Sequence, residues 1–311
     1  MQIDAQIQEQ AAEAATEGFN AGQVIIEHVA NSALDHPLIH LPTVAGINLS
    51  VTKHVFMLWV VAGMVFLVIT TVIRRYLAQD RMVPSGFMNA LESIIEFIRD
   101  SVVRPSVGDK WTKTWTPLLL TLFVFILVAN AIGMIPIFEL LGLLNHWVLH
   151  LGEESLVGRL LHGGSTATSN FNVTAALATV SFFAIIVAGS RAHGFVQHWK
   201  NLAPAGGPPA LAILLIPIEI LGMLVRPFAL TMRLAANMAG GHIAILTILS
   251  FVFIFTDLAG RAIVGVGVGL AFSVPLAVAI SALELIVILV QAYVFTLLSA
   301  VFIGMAIHAH H

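Results

Sequence analysis

Residues 211–255 read LAILLIPIEILGMLVRPFALTMRLAANMAGGHIAILTILSFVFIF. As one helix, about 45 residues would run roughly 68 Å, over twice the roughly 30 Å of hydrocarbon in a bilayer. Residues 262–307 form a second apolar stretch of similar length. Each must break, turn back as a hairpin or lie steeply tilted, and Pro217, Pro227 and Pro275 mark the expected kinks. Ala235, Ala236, Ala239, Gly240 and Gly241 cluster in the first stretch, and Gly265, Gly267 and Gly269 in the second. Small residues at such positions let helix backbones approach closely in lipid. The second set lacks the spacing of a dinucleotide fingerprint and has no βαβ pattern around it, so a phosphate loop is set aside.

Working outward, Val55 to Ile73 is a continuous apolar run closed by Arg74 and Arg75, the pattern of a first spanning helix with a basic exit. Phe87, Met88, Leu91, Ile94, Ile95 and Ile98 then recur at helical spacing beside Glu92, Glu96 and Arg99, which predicts an amphipathic helix at the membrane interface. Thr116 to Ile137 and Val173 to Gly189 are the second and third crossings, joined by a polar loop with Glu153, Glu154 and Arg159. The expected fold is therefore an all-α integral membrane protein. It has about five membrane-inserted helices and one interfacial helix, the last two long and steeply tilted. Residues 51–311 read as a single membrane domain behind a polar N-terminal extension, 1–50. The first 30 residues lack the basic start and apolar core of a signal peptide and read as a polar helix or a loose tail.

Composition agrees: 58% of the chain is hydrophobic and 10% charged, against about 25% charged in ordinary soluble domains. The net charge of −3, without a basic run, offers no footprint for nucleic acid. With no cysteine, a disulfide framework, a thiolate metal site and a redox pair are all excluded. Residues 74–116 hold seven of the 14 Lys and Arg residues, and Arg191 and Lys200 lie in the 190–210 loop. The positive-inside bias then puts both segments on the cytoplasmic side, with the N-terminus outside and the C-terminus inside.

A charge at the bilayer centre costs at least about 2.5–3.5 kcal/mol, so one that persists needs a partner, a water path or a function. Residues 211–255 contain Glu219, Arg226, Arg233, Asn237 and His242; the second stretch contains Glu284 and Gln291. Glu219, Arg226 and Arg233 are seven apart, so each step drifts only about 20° round the helix, and Asn237 follows one turn on. His242 falls about half a turn from Arg233. Glu284 and Gln291, again seven apart, make a second narrow polar stripe. Snorkelling or a structural pair near the helix end would account equally for Glu219 and Arg226. Arg233 has similar apolar length on both sides and a guanidinium that cannot shed its proton. His242 and Glu284 suit either a structural hydrogen-bonded pair or a proton relay. His146 and His150 lie one turn apart and His308, His310 and His311 end the chain, but no third ligand is placed for a metal. Asn48-Leu49-Ser50 and Asn172-Val173-Thr174 match the glycosylation sequon.

The run from Arg226 to His242, RPFALTMRLAANMAGGH, closely resembles the penultimate-helix motif of subunit a of F-type ATP synthases, with its Arg-Leu-x-x-Asn-Met-x-x-Gly core. The likeness continues through Pro217-Ile218-Glu219, Leu283-Glu284 and Gln291-Ala292-Tyr293, and Asn130 with Pro136 also resembles family positions. In some family members Glu follows the glycine pair and His stands at the other position; here His242 and Glu284 are exchanged, and the pair survives. The resemblance implies a non-catalytic, ion-translocating stator subunit in a multi-pass arrangement, in a bacterial inner (plasma) membrane. Its partners would be the c-ring of the rotor, b-type peripheral-stalk subunits and membrane lipid. It implies two offset half-channels, with Arg233 facing the rotor carboxylate, His242 and Glu284 lining the path away from the cytoplasm, and Glu219 on the cytoplasmic path. Asn237 and Gln291 complete the ion-translocation set. The ion is H⁺, with Na⁺ left open, and no cofactor, metal or nucleotide is implied for this chain. A secondary transporter would show paired inverted repeats, which the sequence lacks, and a histidine-ligated redox protein would need ligands the sequence does not place.

Overall fold

The computed structural model describes residues 50–78, 85–134, 167–200 and 209–308, with isolated positions between 22 and 48. A two-residue antiparallel ribbon, β1 (Thr43–Val44) and β2 (Ile47–Asn48), precedes helix α1 (Lys53–Leu77). There follow α2 (Phe87–Glu96), a π-helical segment Phe97–Val103, α3 (Arg104–Val107) and α4 (Asp109–Met134). A 3-10 turn, Ala167–Ser169, leads into α5 (Phe171–His193) and the short α6 (Phe195–Lys200). The chain ends with α7 (Pro209–Ala259), α8 (Ala262–Val268), a second π-helical segment Gly269–Ser273 and α9 (Val274–Ile307). Among the described residues five helical stretches are long and apolar enough to span: 53–77, 109–134, 171–193, 216–259 and 262–307.

Local sequence sets the helix ends. Arg74 and Arg75 occupy the last turn of α1, and Asp109 the first turn of α4, each complementing the helix dipole. Asn170 caps α5 by accepting a 2.8 Å hydrogen bond from the Asn172 amide. Gly194 stops α5 at φ 89°, a backbone state that glycine reaches without strain. Both π-helical segments run directly into a helix that carries a proline in its first two positions, Pro105 in α3 and Pro275 in α9. A widened turn accommodates the missing amide and the bulk of the ring.

The two long stretches resolve differently from each other. Helix α7 runs through Pro217 and Pro227 without a break over 51 residues, about 77 Å. Residues 262–307 are continuous but interrupted by the π-helical segment before Pro275. Neither stretch turns back on itself; instead the two pack against each other as antiparallel partners about Gly260, at φ 58°. Their register is legible along the whole length. Gly265 lies against Thr256, Gly269 against Val252, Gly241 against Glu284, Gln291 against Arg233, and Phe302 against Arg226.

Helix α9 is the central element, packed on α3, α4, α5 and α7. Its buried residues Ala292, Phe295, Ala300, Ile303 and Ile307 join Leu119, Leu122, Phe123 and Ile126 of α4 and Ala184, Ile185 and Ala188 of α5 in one cluster. The amphipathic α2 and its π-helical extension reach this core through Ile98, Val102 and Val103, while Phe87 stays exposed. At Gly304 an added Cβ would strike the Ser106 carbonyl, so the α3–α9 contact depends on that residue being glycine. His193 of α5 donates Nε2–H to the Ile307 carbonyl at 2.9 Å, satisfying one of the free carbonyls at the end of α9. The polar loop with Glu153, Glu154 and Arg159, the pair His146 and His150, the terminal His310 and His311 and most of the 1–50 extension lie outside the described residues.

Candidate functional site

Helix α7 buries Met223, Leu230, Leu234 and Met238 toward α5 and α9, at steps of seven, four and four residues that define one inward stripe. Arg233 and Asn237 fall on its outer flank and are exposed, together with Ala229, Ala236 and Gly240. Among the described residues no side chain hydrogen-bonds or ion-pairs with the Arg233 guanidinium. At Gly222 and Gly240, which share this flank, an added Cβ would meet nothing within 4 Å. Their smallness answers no contact among the described residues.

Directly behind Arg233, Gln291 of α9 is 4% exposed and donates Nε2–H to the Arg233 carbonyl at 2.8 Å and to that of Leu234 at 3.3 Å. This bond ties the backbone that carries the arginine to the central helix. Glu284, two turns earlier on α9, is also 4% exposed. Its carboxyl fits against Gly241, where an added Cβ would lie 2.5 Å from Oε1. Glu284 Oε1 and Gln291 Oε1 have no hydrogen-bond partner among the described groups. His242, the next residue after Gly241, is half-buried and points about half a turn from Arg233.

Toward the other end of α7, Arg226 pairs with Glu219 at 3.4 Å and lies over the Phe302 ring at 5.4 Å from its centroid. The stripe from Glu219 to Asn237 therefore divides. Glu219 and Arg226 form a pair leaning on α9, whereas Arg233 and Asn237 stand on the flank. Glu284 and Gln291 do share one face of α9, turned toward α7.

Several polar groups fall outside that set. Asn130 of α4 is wholly buried and accepts a 2.6 Å hydrogen bond from Thr168. Ser181 and Ser299 pair at 3.1 Å between α5 and α9. Lys53 and His54 are buried at the start of α1; at the polar edge of an apolar run they read as an ordinary helix start, and only packing reveals them. Beyond α2, Arg99 of the π-helical segment and Arg104 of α3 bracket Asp100 at 2.6 and 3.1 Å, and the Arg99 hydrogen bond holds that carboxyl below the usual carboxylate range. No group of three or more His, Cys, Asp or Glu residues is gathered for a metal among the described residues.

Residues 55–304 match the family model described as ATP synthase A chain. ATP synthase subunit a of Pelodictyon phaeoclathratiforme is 36% identical over 294 residues, 92% of this chain and 76% of that protein. Its counterpart in Chlorobium phaeobacteroides is 38% identical over 299 residues, 94% of this chain and 77% of the relative. ATP synthase subunit a of Myxococcus xanthus is 36% identical over 300 residues, 90% of this chain and 86% of that one.

Proposed function

The chain belongs to the ATP synthase A chain family, and on that premise we propose that it conducts protons to and from a rotor ring through two offset half-channels, with Arg233 facing the ring carboxylate. It is a membrane-sector subunit of the synthase and carries no catalytic step in this reading. The observation that carries the proposal is the exposed Arg233 guanidinium on the flank of α7, without a counter-charge among the described residues. In lipid that position costs at least about 2.5–3.5 kcal/mol unless another chain supplies the partner.

The polar groups on either side of Arg233 support the offset. Glu219 lies fourteen residues before it on α7, roughly 21 Å along the axis, and Gly241, against Glu284, lies eight residues after, roughly 12 Å. With the C-terminus cytoplasmic, as the basic loops favour, the Glu219 side serves the cytoplasmic path and the His242–Glu284 side the outer one. The unpartnered oxygens of Glu284 and Gln291 favour water beside them.

A ring carboxylate moves through lipid only when protonated. Opposite Arg233 its ionised form is favoured, so the proton leaves into one path before another is taken from the other. The fixed cation also blocks direct proton passage between the two paths. Gln291 holds the Arg233 backbone to α9 and so positions that charge. Asn237, one turn away, faces the same partner. The ring and the b-type peripheral stalk are the proposed partners.

Replacing Arg233 with Ala in the assembled synthase tests the proposal. Coupled ATP synthesis and ATP-driven proton pumping should both fall to background while assembly persists. Pumping at the parent rate would overturn it.

A further inference from the structure

The start of α1 holds a buried titratable cluster that the proposed path does not yet use. Lys53 and His54 are 1% and 2% exposed. His54 shares a helix face with Met57 and Val61, which pack with Ala129 and Ile132 of α4 and Ala167 of the 3-10 turn. The chain neighbours of Ala129 and Ala167 are Asn130 and Thr168, both wholly buried and hydrogen-bonded to each other. The same turn packs against α1, α4, α5 and α7, and so connects this cluster to the helix carrying His242.

Among the described residues neither ring nitrogen of His54 has a hydrogen-bond partner, and neither does Asn130 Nδ2. A buried imidazole with a purely structural role ordinarily spends at least one nitrogen on a bond. Three unmet polar atoms at one end of the α1–α4 contact call for water, which removes the penalty by bridging them.

We propose that His54 and Asn130 border a hydrated pocket at the outer end of the helices, and that His54 relays protons through it toward Glu284. The proposal rests on the proton-conducting function given above and adds to it a residue on α1. In the relay, one ring nitrogen accepts a proton from water on the outer side while the opposite N–H releases its proton to the pocket water. The ring ends as it began, neutral with one proton, and a flip restores the starting tautomer. Lys53 stands beside His54 on α1; of the elements packed on α1, α2 carries Glu92 and Glu96, and α7, which packs on the same turn, carries His242. The turn 167–169 and residues 123–134 of α4 contribute none.

The test uses the whole synthase in liposomes, with ATP synthesis followed as a function of the pH on the proton-entry side. His54→Gln keeps polarity but cannot titrate. It should slow synthesis about tenfold at pH near 8, where free protons are scarce, and the deficit should close as the pH falls below the ordinary imidazole range of about 6.5. A loss of the same factor at every pH, or no loss, would overturn the proposal. If His54→Gln fails to assemble with the ring, Lys53→Met takes its place. Removing the neighbouring cation should move the midpoint of the pH profile upward, and an unmoved midpoint overturns the relay. A parallel Arg233→Ala complex separates the two ideas. If it still pumps, the conducting function fails; if it is dead while His54→Gln is unaffected, only the relay fails.

Discussion

Arg233 and Gly241 show two kinds of necessity at single residues. The arginine's burden is visible in sequence, because a permanent cation amid apolar residues has to be answered by something. The glycine's is not, because only the antiparallel register brings Glu284 to the face of α7 that Gly241 leaves bare. Gly241→Ala should therefore push the Glu284 carboxyl aside. Overpacking of this kind costs about 1–3 kcal/mol, so the synthase should still assemble but pump several-fold more slowly, as measured by ATP-driven acidification of vesicles. Pumping at the parent rate would mean that the position of Glu284 is unimportant.

At the scale of elements, α7 uses its glycines in two ways. Gly241 meets α9, whereas Gly222 and Gly240 face open space on the Arg233 flank. A bulky residue there should leave the chain's own packing unchanged and obstruct only an external partner. Gly240→Leu should accordingly give normal levels of membrane-inserted chain but lose most coupled pumping; normal pumping would show that no close partner passes this flank. Helix α6 offers a pH test at the other end of α5. His198 is 7% exposed with its ring where a Cβ of Gly189 would sit, and burial, aided by the charge of His193, lowers its pKa below the ordinary imidazole value. Its neutral form is thus the one that docks. The stabilising contact is complete above about pH 6.5 and weakens as the pH falls below that value, where the undocked imidazole takes up a proton more readily. Amide exchange in residues 195–200, corrected for intrinsic rates, should accelerate between pH 7.5 and pH 5.

For the whole molecule, an exposed arginine without a counter-charge among the described residues fits the proposed role as one side of an interface. Purified alone and reconstituted, it should conduct protons at close to the background of empty liposomes. With the rotor ring restored, ATP-coupled flux should appear; ring-independent conduction comparable to that of the complex would contradict an interface role. In mild detergent a ring and a peripheral stalk should co-purify with it.

The spanning helices, the amphipathic α2 and the excess length of the final two stretches follow from the sequence by itself, because apolar length and periodicity are one-dimensional quantities. So does the identity of the polar residues in the oily helices, since each carries a desolvation cost that composition alone exposes. What tertiary structure decided was their grouping. It turned Arg226 away from Arg233 toward Glu219 and Phe302, tied Gln291 to the Arg233 backbone, set Glu284 against Gly241, and buried Lys53 and His54. Helical periodicity states which residues share a face but not which neighbour that face meets, and the register of α7 on α9 depends on close approach at glycines whose partners lie up to 43 residues away in the chain.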